Sequence, residues 1–269
     1  MEFRYDDLVH TNSPLLASDD QERVRKTRLL IAGCGTASVI AEAATRLGFE
    51  RFILVDGDRV ALTNINRQAY VFSDVGKNKA TVLSRKLEEI NPQCSVTTVA
   101  RFLSAENVVG LVEMCDIVID AIDALAINAI VSLHKEAKNQ GKSIVYPFNV
   151  GWGGAVLVFT PQTISIEEML KVYSEAALGE LLEATLLELM GRLMGEIPAY
   201  LSETISGLRL REVTKFPQPA IAALQCSVLA ATAALKLTLG LPVKLAPHVI
   251  SFDPWLAASA AVEQSITRS

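Results

Sequence analysis

Between Asp56 and Lys79 the chain reads DGDRVALTNINRQAYVFSDVGKNK, which gathers Asp58, Asn64, Arg67, Gln68 and Lys79 into about 20 residues. A guanidinium offers a planar fork of donors, an ammonium offers a point charge, and an asparagine can orient an extended polyanion. This set suits a triphosphate, and a dinucleotide enzyme has no need of it. Taken singly, each residue could be an incidental charge on a solvated loop; the spacing of several together carries the reading.

Upstream, Gly33-Cys34-Gly35-Thr36-Ala37-Ser38 matches G-x-G-x-x-G with serine in place of the third glycine. The first glycine permits a tight turn, the second lets backbone approach phosphate, and a helix N-terminus supplies unpaired N–H groups. Ser38 is small enough to keep helix and strand close. Asp56 lies 23 residues after Gly33, where an acid grips ribose hydroxyls. These features alone leave NAD and ATP both open, as they leave a purely structural glycine turn. Asp120 and Asp123 form D-A-I-D at the end of an apolar run. A carboxylate there suits Mg²⁺, which keeps several waters and bridges phosphate oxygens. Asp123, beyond the run, is the better placed, and Asp120 is equally suited to capping the next helix.

These side chains need a scaffold, and the apolar pattern supplies one. RLLIAG (28–33), RFILVDGD (51–58), Ser95 to Ala100, DIVIDAID (116–123) and SIVYPF (143–148) read as strands. Helical stretches over 36–47, Lys77 to Ile90, Ala105 to Met114 and up to about Gln140 separate them. Continuous apolar strands alternating with helices predict a doubly wound α/β fold: a mostly parallel sheet with helices on both faces. AVLVFTP (155–161) and HVISFDP (248–254) predict antiparallel C-terminal additions. The chain is divided as one domain over 1–269: an N-terminal helical segment (1–27), a nucleotide-binding core (28–161), a helical excursion (162–215), and a late helix with a terminal strand (216–269).

The 269 residues carry a net charge of −5 with no basic stripe, which disfavours a nucleic-acid partner. MEFRYDDLVHTN has acids where a secretory leader needs basic and apolar residues, so a cytoplasmic protein is expected. Cys34, Cys94, Cys115 and Cys226 include no C-x-x-C pair, so no zinc is expected and the thiols read as buried and reduced. The Ala- and Leu-rich run from Pro219 to Leu241 has a charge-free part of about 16 residues, short of the roughly 20 that cross a bilayer, so a core or subunit-interface helix is expected. His10, His134 and His248 are scattered and read as ordinary residues, and Trp152 within GWGG as a turn or as the lining of a substrate entrance.

The order GCGTAS, VDGDRV, LTNINRQ, VGKNKA, INP, VIDAID, GWGGAVLVFTP resembles the ThiF/MoeB/HesA family, the adenylating relatives of ubiquitin-activating enzymes. The resemblance covers about residues 20–161, and FPQPAIAALQCSVLAATAALKLTLG is similar to the family's late helix. It implies a Rossmann-like fold, ATP and Mg²⁺ as cofactors, a homodimer, and activation of a carboxylate as an acyl-adenylate with release of pyrophosphate. The carboxylate would belong to a small protein tail, a peptide or a metabolite. Residue by residue, it implies Asp56 at the ribose, Asn64, Arg67, Gln68 and Lys79 at the triphosphate, and Asp123 at Mg²⁺.

The chain departs from the family in four places. The family's N-terminal R-Y-x-R-Q, whose second arginine reaches the partner's ATP, is Arg4-Tyr5-Asp6-Asp7 here, leaving Arg4 or a residue from Arg23 to Arg28 to substitute. The paired C-x-x-C motifs are missing, the usual D-N is Asp123-Ala124, and no cysteine lies between Cys115 and Cys226 to form a thioester. Two other readings follow: a catalytically weak nucleotide-binding scaffold of the same family, and an NAD(P)-dependent oxidoreductase.

Overall fold

The computed structural model describes residues 2–124, 126–173, 197–210, 212 and 217–259. Strands β1 (Arg28–Ala32), β2 (Arg51–Val55), β3 (Ser95–Val99), β4 (Ile117–Asp120), β5 (Ser143–Val150), β6 (Gly153–Phe159) and β7 (Ile250–Phe252) form one sheet in the order β3-β2-β1-β4-β5-β6-β7. The first five are parallel; β6 turns back antiparallel on β5, and β7 antiparallel on β6.

Alternation along β1 shows why its whole length is apolar. Leu30 and Ala32 point into one core, with Val108 and Leu111 of α5 (Val108–Glu113) and Ile130 and Leu133 of α6 (Ile127–Asn139). Leu29 and Ile31 point into the other, with Ile40 and Ala41 of α3 (Ala37–Leu47) and Leu83 and Leu87 of α4 (Lys79–Ile90). A strand buried on both faces has no polar side to alternate with.

The N-terminal helices α1 (Tyr5–Val9) and α2 (Ser18–Lys26) precede the sheet. Of the expected excursion, α7 (Ile166–Tyr173) and α8 (Ala199–Arg209) are seen, and residues 174–196 of that expectation lie outside the described residues. The late helix α9 (Ala220–Leu239) ends on Gly240 and is followed after β7 by α10 (Pro254–Ser259). By length and composition α9 is apolar enough to cross a membrane. Here it lies across the sheet, so close to β6 that a Cβ at Gly154 would fall 2.5 Å from the Cys226 backbone nitrogen.

Several boundaries differ from the sequence expectations, for local reasons. The strand expected over 116–123 stops at Asp120, whose side chain accepts the Ile122 N–H. The helix expected from Lys77 begins at Lys79, because the Asn78 side chain caps it by accepting the Thr81 N–H at 3.0 Å.

The strand order reverses between β1 and β4, since the chain proceeds outward from β1 to β3 and then in the other direction through β4 and β5. The crevice at the carboxyl ends of β1 and β4 is where open sheets of this kind take their ligands.

Candidate nucleotide site

Gly33 follows β1 with φ +86°, and a Cβ there would fall 2.4 Å from the Ala121 carbonyl oxygen beyond β4. Only glycine fits both the left-handed backbone and the close approach. Gly35 lies against Gln68, whose amide nitrogen is 3.3 Å from where a Cβ would stand. Ser38 is fully buried; its hydroxyl donates to Gly35 O at 2.6 Å and accepts the Ala69 N–H at 2.9 Å. The serine in the third glycine position thus ties the turn to the T-N-I-N-R-Q segment, and its contribution to any ligand runs through the loop it holds.

Asp56 is 7% exposed. One carboxylate oxygen accepts the Cys34 N–H and the other the Asp58 N–H, both at 2.7 Å. It braces the glycine turn against the loop after β2 and keeps spare lone pairs that a ribose hydroxyl could use. Burial pushes its carboxyl up, against the pull of the Asp58 N–H and the Lys79 charge. Lys79, buried at the first position of α4, pairs with Asp58 at 3.0 Å. Asn78 donates to Asp56 O at 2.9 Å and Asp58 O at 3.1 Å, so it fixes this acidic loop as well as the start of α4.

In the intervening segment Asn64 Oδ1 accepts the Ala61 N–H at 2.9 Å. Arg67 donates through one terminal nitrogen to Thr63 O and to Asn66 Oδ1, each at 2.9 Å. Its Nε and the Gln68 Oε1 are buried atoms without a partner among the described residues. Burial weakens the hold of Arg67 on its proton, a deficit that a neighbouring anion would make good.

The two D-x-x-D acids have separate surroundings. Asp120 is fully buried, with Oδ2 at 2.9 Å from His134 Nε2 and Oδ1 accepting the Ile122 N–H at 3.1 Å. Asp123 is exposed beside the glycine turn. Among the described residues no three His, Cys, Asp or Glu side chains gather as a metal cage. An exposed carboxylate of this kind is the donor type that a cation completing its shell with phosphate oxygens and water would use.

The N-terminal arginines lie at the other edge of the sheet. Arg25 pairs with Glu50, just before β2, at 2.7 Å and covers the Tyr5 ring at 4.4 Å. Arg28 opens β1 and donates to Met114 O, and Arg23 donates to Thr238 O at the end of α9. Tyr5 donates to Gly48 O at the end of α3, which keeps Arg4 and Asp7 at that edge too. A strand of this length separates them from the carboxyl ends by roughly 13 Å. Within one subunit, therefore, Arg4, Arg23, Arg25 and Arg28 stand away from the carboxyl-end crevice, and a substitute arginine among them would have to serve a partner subunit's site.

Cys34, Cys115 and Cys226 are buried, and burial pushes the thiols of Cys94, Cys115 and Cys226 up to about 12. Cys226 donates to Phe148 O at 3.0 Å within the core. A thiolate is the reactive form, so the native protein near pH 7.5 is expected to take up no iodoacetamide over minutes by intact mass, and four equivalents once unfolded. Rapid modification of the native chain would contradict this.

Sequence reasoning missed the bracing residues Asn78, Tyr70 and His134. Asn78 stood legibly ahead of a helical stretch as a cap; Tyr70, which donates to Cys34 O at 2.6 Å across 36 residues, had no local signature.

A sequence model of the ThiF family matches residues 9–266. The tRNA threonylcarbamoyladenosine dehydratase of Haemophilus influenzae is 38% identical over 112 residues, 40% of this chain and 43% of the relative. The sulfur carrier protein adenylyltransferase of Thermus thermophilus is 29% identical over 153 residues, 56% of each chain. The chain thus matches about half the length of these relatives. In fold it resembles the E. coli tRNA N6-threonylcarbamoyladenosine dehydratase, with a TM-score of 0.62 at 20% identity over 87% of this chain and 95% of that one. E. coli MccB with ATP aligns with a TM-score of 0.58 at 19% identity, over 84% and 60%.

Proposed function

The chain belongs to the ThiF family, and on that premise we propose that it is an ATP- and Mg²⁺-dependent adenylyltransferase that activates a carboxylate. The observation that carries this reading is the pair of buried atoms in the Arg67-Gln68 segment. Arg67 Nε is a donor and Gln68 Oε1 an acceptor, neither with a partner among the described residues, and the Gln68 side chain stands against Gly35. A phosphate oxygen satisfies the first and a ribose hydroxyl the second, and a buried polar group left alone costs about 1–3 kcal/mol. A nicotinamide dinucleotide also carries phosphates and ribose hydroxyls, so it is the family match that weighs against the oxidoreductase reading.

In the proposed reaction a carboxylate oxygen attacks the α-phosphorus, the bond to the bridging oxygen breaks, and pyrophosphate leaves with the electron pair. No proton moves, because the carboxylate is already ionised at neutral pH. Positioning and charge neutralisation supply the rate. The glycine turn would bring backbone to the phosphates, Asp56 and the Gln68 side-chain carbonyl would take the ribose, and Asn64, Arg67, the Gln68 amide nitrogen and Lys79 would hold the triphosphate. Lys79 would exchange part of its bond to Asp58 for a phosphate oxygen, and Asp123 would hold Mg²⁺. The ion, when bound, neutralises charge on the departing pyrophosphate.

The substrate class proposed is a small protein tail, peptide or metabolite bearing a carboxylate, and the net charge of −5 weighs against nucleic acid. With free cysteines throughout, we place the protein in the cytoplasm, outside the membrane, and without zinc. The exposed apolar row Ile221, Leu224 and Val228 on α9 supports a homodimer.

ATP–pyrophosphate exchange tests the reaction, with peptides ending in free carboxylates, small carboxylic acids and bulk tRNA in parallel. Exchange stimulated by a peptide or acid supports the proposal. Exchange with tRNA alone would overturn the substrate class, and ATP binding without exchange under any condition would leave the scaffold reading.

A further inference from the structure

Asp120 and His134 take no part in the reaction just proposed, yet they form a buried carboxylate–imidazole contact directly behind it. Asp120 is fully buried and His134 is 6% exposed. Removing such a pair from water carries a desolvation penalty that apolar side chains of the same volume would avoid. Its geometry shows what it holds. Asp120 Oδ2 meets His134 Nε2 at 2.9 Å, and Oδ1 accepts the Ile122 N–H at 3.1 Å. The Ala126 N–H donates to Asp123 O at 2.8 Å just before α6 begins. Asp120 to Ala124 therefore lead from the buried acid towards α6, whose His134 returns to that acid, with Asp123 on the connecting segment.

The imidazole cannot drift. It stands edge-on to Phe159 at 4.9 Å and to Tyr146 at 5.8 Å. Asp120 and Asp123, after burial itself, both push the Tyr146 hydroxyl up, which places the two acids within electrostatic reach of one ring. On its other side the connecting segment backs onto the glycine turn, where Ala121 O leaves no room for a side chain at Gly33. A shift of Asp120 would thus move Asp123 relative to the phosphates.

We propose that His134 is a positioning residue of the nucleotide site: through Asp120 it sets the turn that presents Asp123 to the Mg²⁺ of the bound nucleotide. The proposal rests on the ATP- and Mg²⁺-dependent reading above and goes beyond it to a residue that touches neither ligand.

The test follows thermal protection of the full chain by ATP, in EDTA and across a Mg²⁺ titration, which needs no carboxylate substrate. His134→Ala is expected to raise the Mg²⁺ concentration at half-maximal protection by about tenfold, the lower end of what second-layer ligands contribute. Protection by ATP in EDTA should stay unchanged. His134→Gln, which keeps a donor near the Nε2 position, should recover the midpoint to within about threefold of wild type. Phe159→Leu keeps the His134–Asp120 contact while thinning the packing beside the ring, and should lower the melting temperature while moving the midpoint much less than His134→Ala does.

A wild-type midpoint in His134→Ala overturns the proposal, as does an equal shift in Phe159→Leu. If His134→Ala does not fold, His134→Asn, which shortens the reach to Asp120, must show the raised midpoint instead, and a wild-type value there overturns it. A wild-type chain whose ATP protection ignores Mg²⁺ would overturn the functional reading itself, a result distinct from failure of His134 alone.

Discussion

Asp123→Ala is expected to cut Mg²⁺-dependent pyrophosphate release by about 100- to 1,000-fold, or about 2.7–4 kcal/mol of transition-state stabilisation. The expectation comes from the division of labour in D-A-I-D. Asp120 is fully buried against His134 and the Ile122 N–H, so a hydrated cation does not reach it without dismantling the turn. Asp123 is the exposed acid of the pair, and it alone can meet a cation that also bridges phosphates. Asp123 is exposed but not without a partner, so its substitution is expected to lower stability by about 1 kcal/mol at most, the net worth of one ordinary hydrogen bond, or about 2–4 °C for a chain of this size. The variant should therefore remain folded and still be protected by ATP in EDTA. Pyrophosphate release within threefold of wild type would remove Asp123 from its assigned role.

Arg67→Ala is expected to weaken ATP binding by about 10- to 150-fold, the range of about 1.5–3 kcal/mol for hydrogen bonds to charged groups. Arg67 is half-buried, has no carboxylate partner among the described residues, and keeps an unsatisfied Nε. An arginine desolvated without a counter-ion is destabilised, and an anion beside it offsets that cost. Because its proposed target is the triphosphate, AMP binding should fall much less than ATP binding, which isothermal titration of the two nucleotides reads directly. Arg67→Lys should not restore ATP affinity, since an ammonium lacks the planar fork. Equal losses for ATP and AMP would place Arg67 at the nucleoside and contradict its assignment.

Much of this site was legible because its signals are local. Gly33 and Gly35 sit between an apolar run and a helical one, Asp56 ends the next run, and Asn64 through Lys79 crowd polar groups into one connection. The parallel sheet followed from the nearly continuous apolar runs of β1, β2, β4 and β5, and the antiparallel return of β6 from AVLVFTP. What could not be read was how distant segments meet. Ser38 holds Ala69 across 31 residues, and Asp120 holds His134 across 14. Both contacts depend on helix packing, which periodicity gives only as a face. The scattered histidines suggested no role, and His134 gains one because α6 brings it against Asp120 at the end of β4. The arginines from 23 to 28 are close to the glycine turn in sequence but at the opposite edge of the sheet, since β1 lies between them.

Thermal unfolding with ATP plus Mg²⁺, AMP, NAD and NADP in parallel tests the central claim most directly. A ligand at 100 times its Kd adds about 2.7 kcal/mol, a rise of roughly 5 to 10 °C for a chain of this size. The account predicts that rise with ATP and Mg²⁺, a smaller one with AMP, and none with NAD or NADP. A rise confined to NAD or NADP, or no rise with ATP and Mg²⁺, would contradict it.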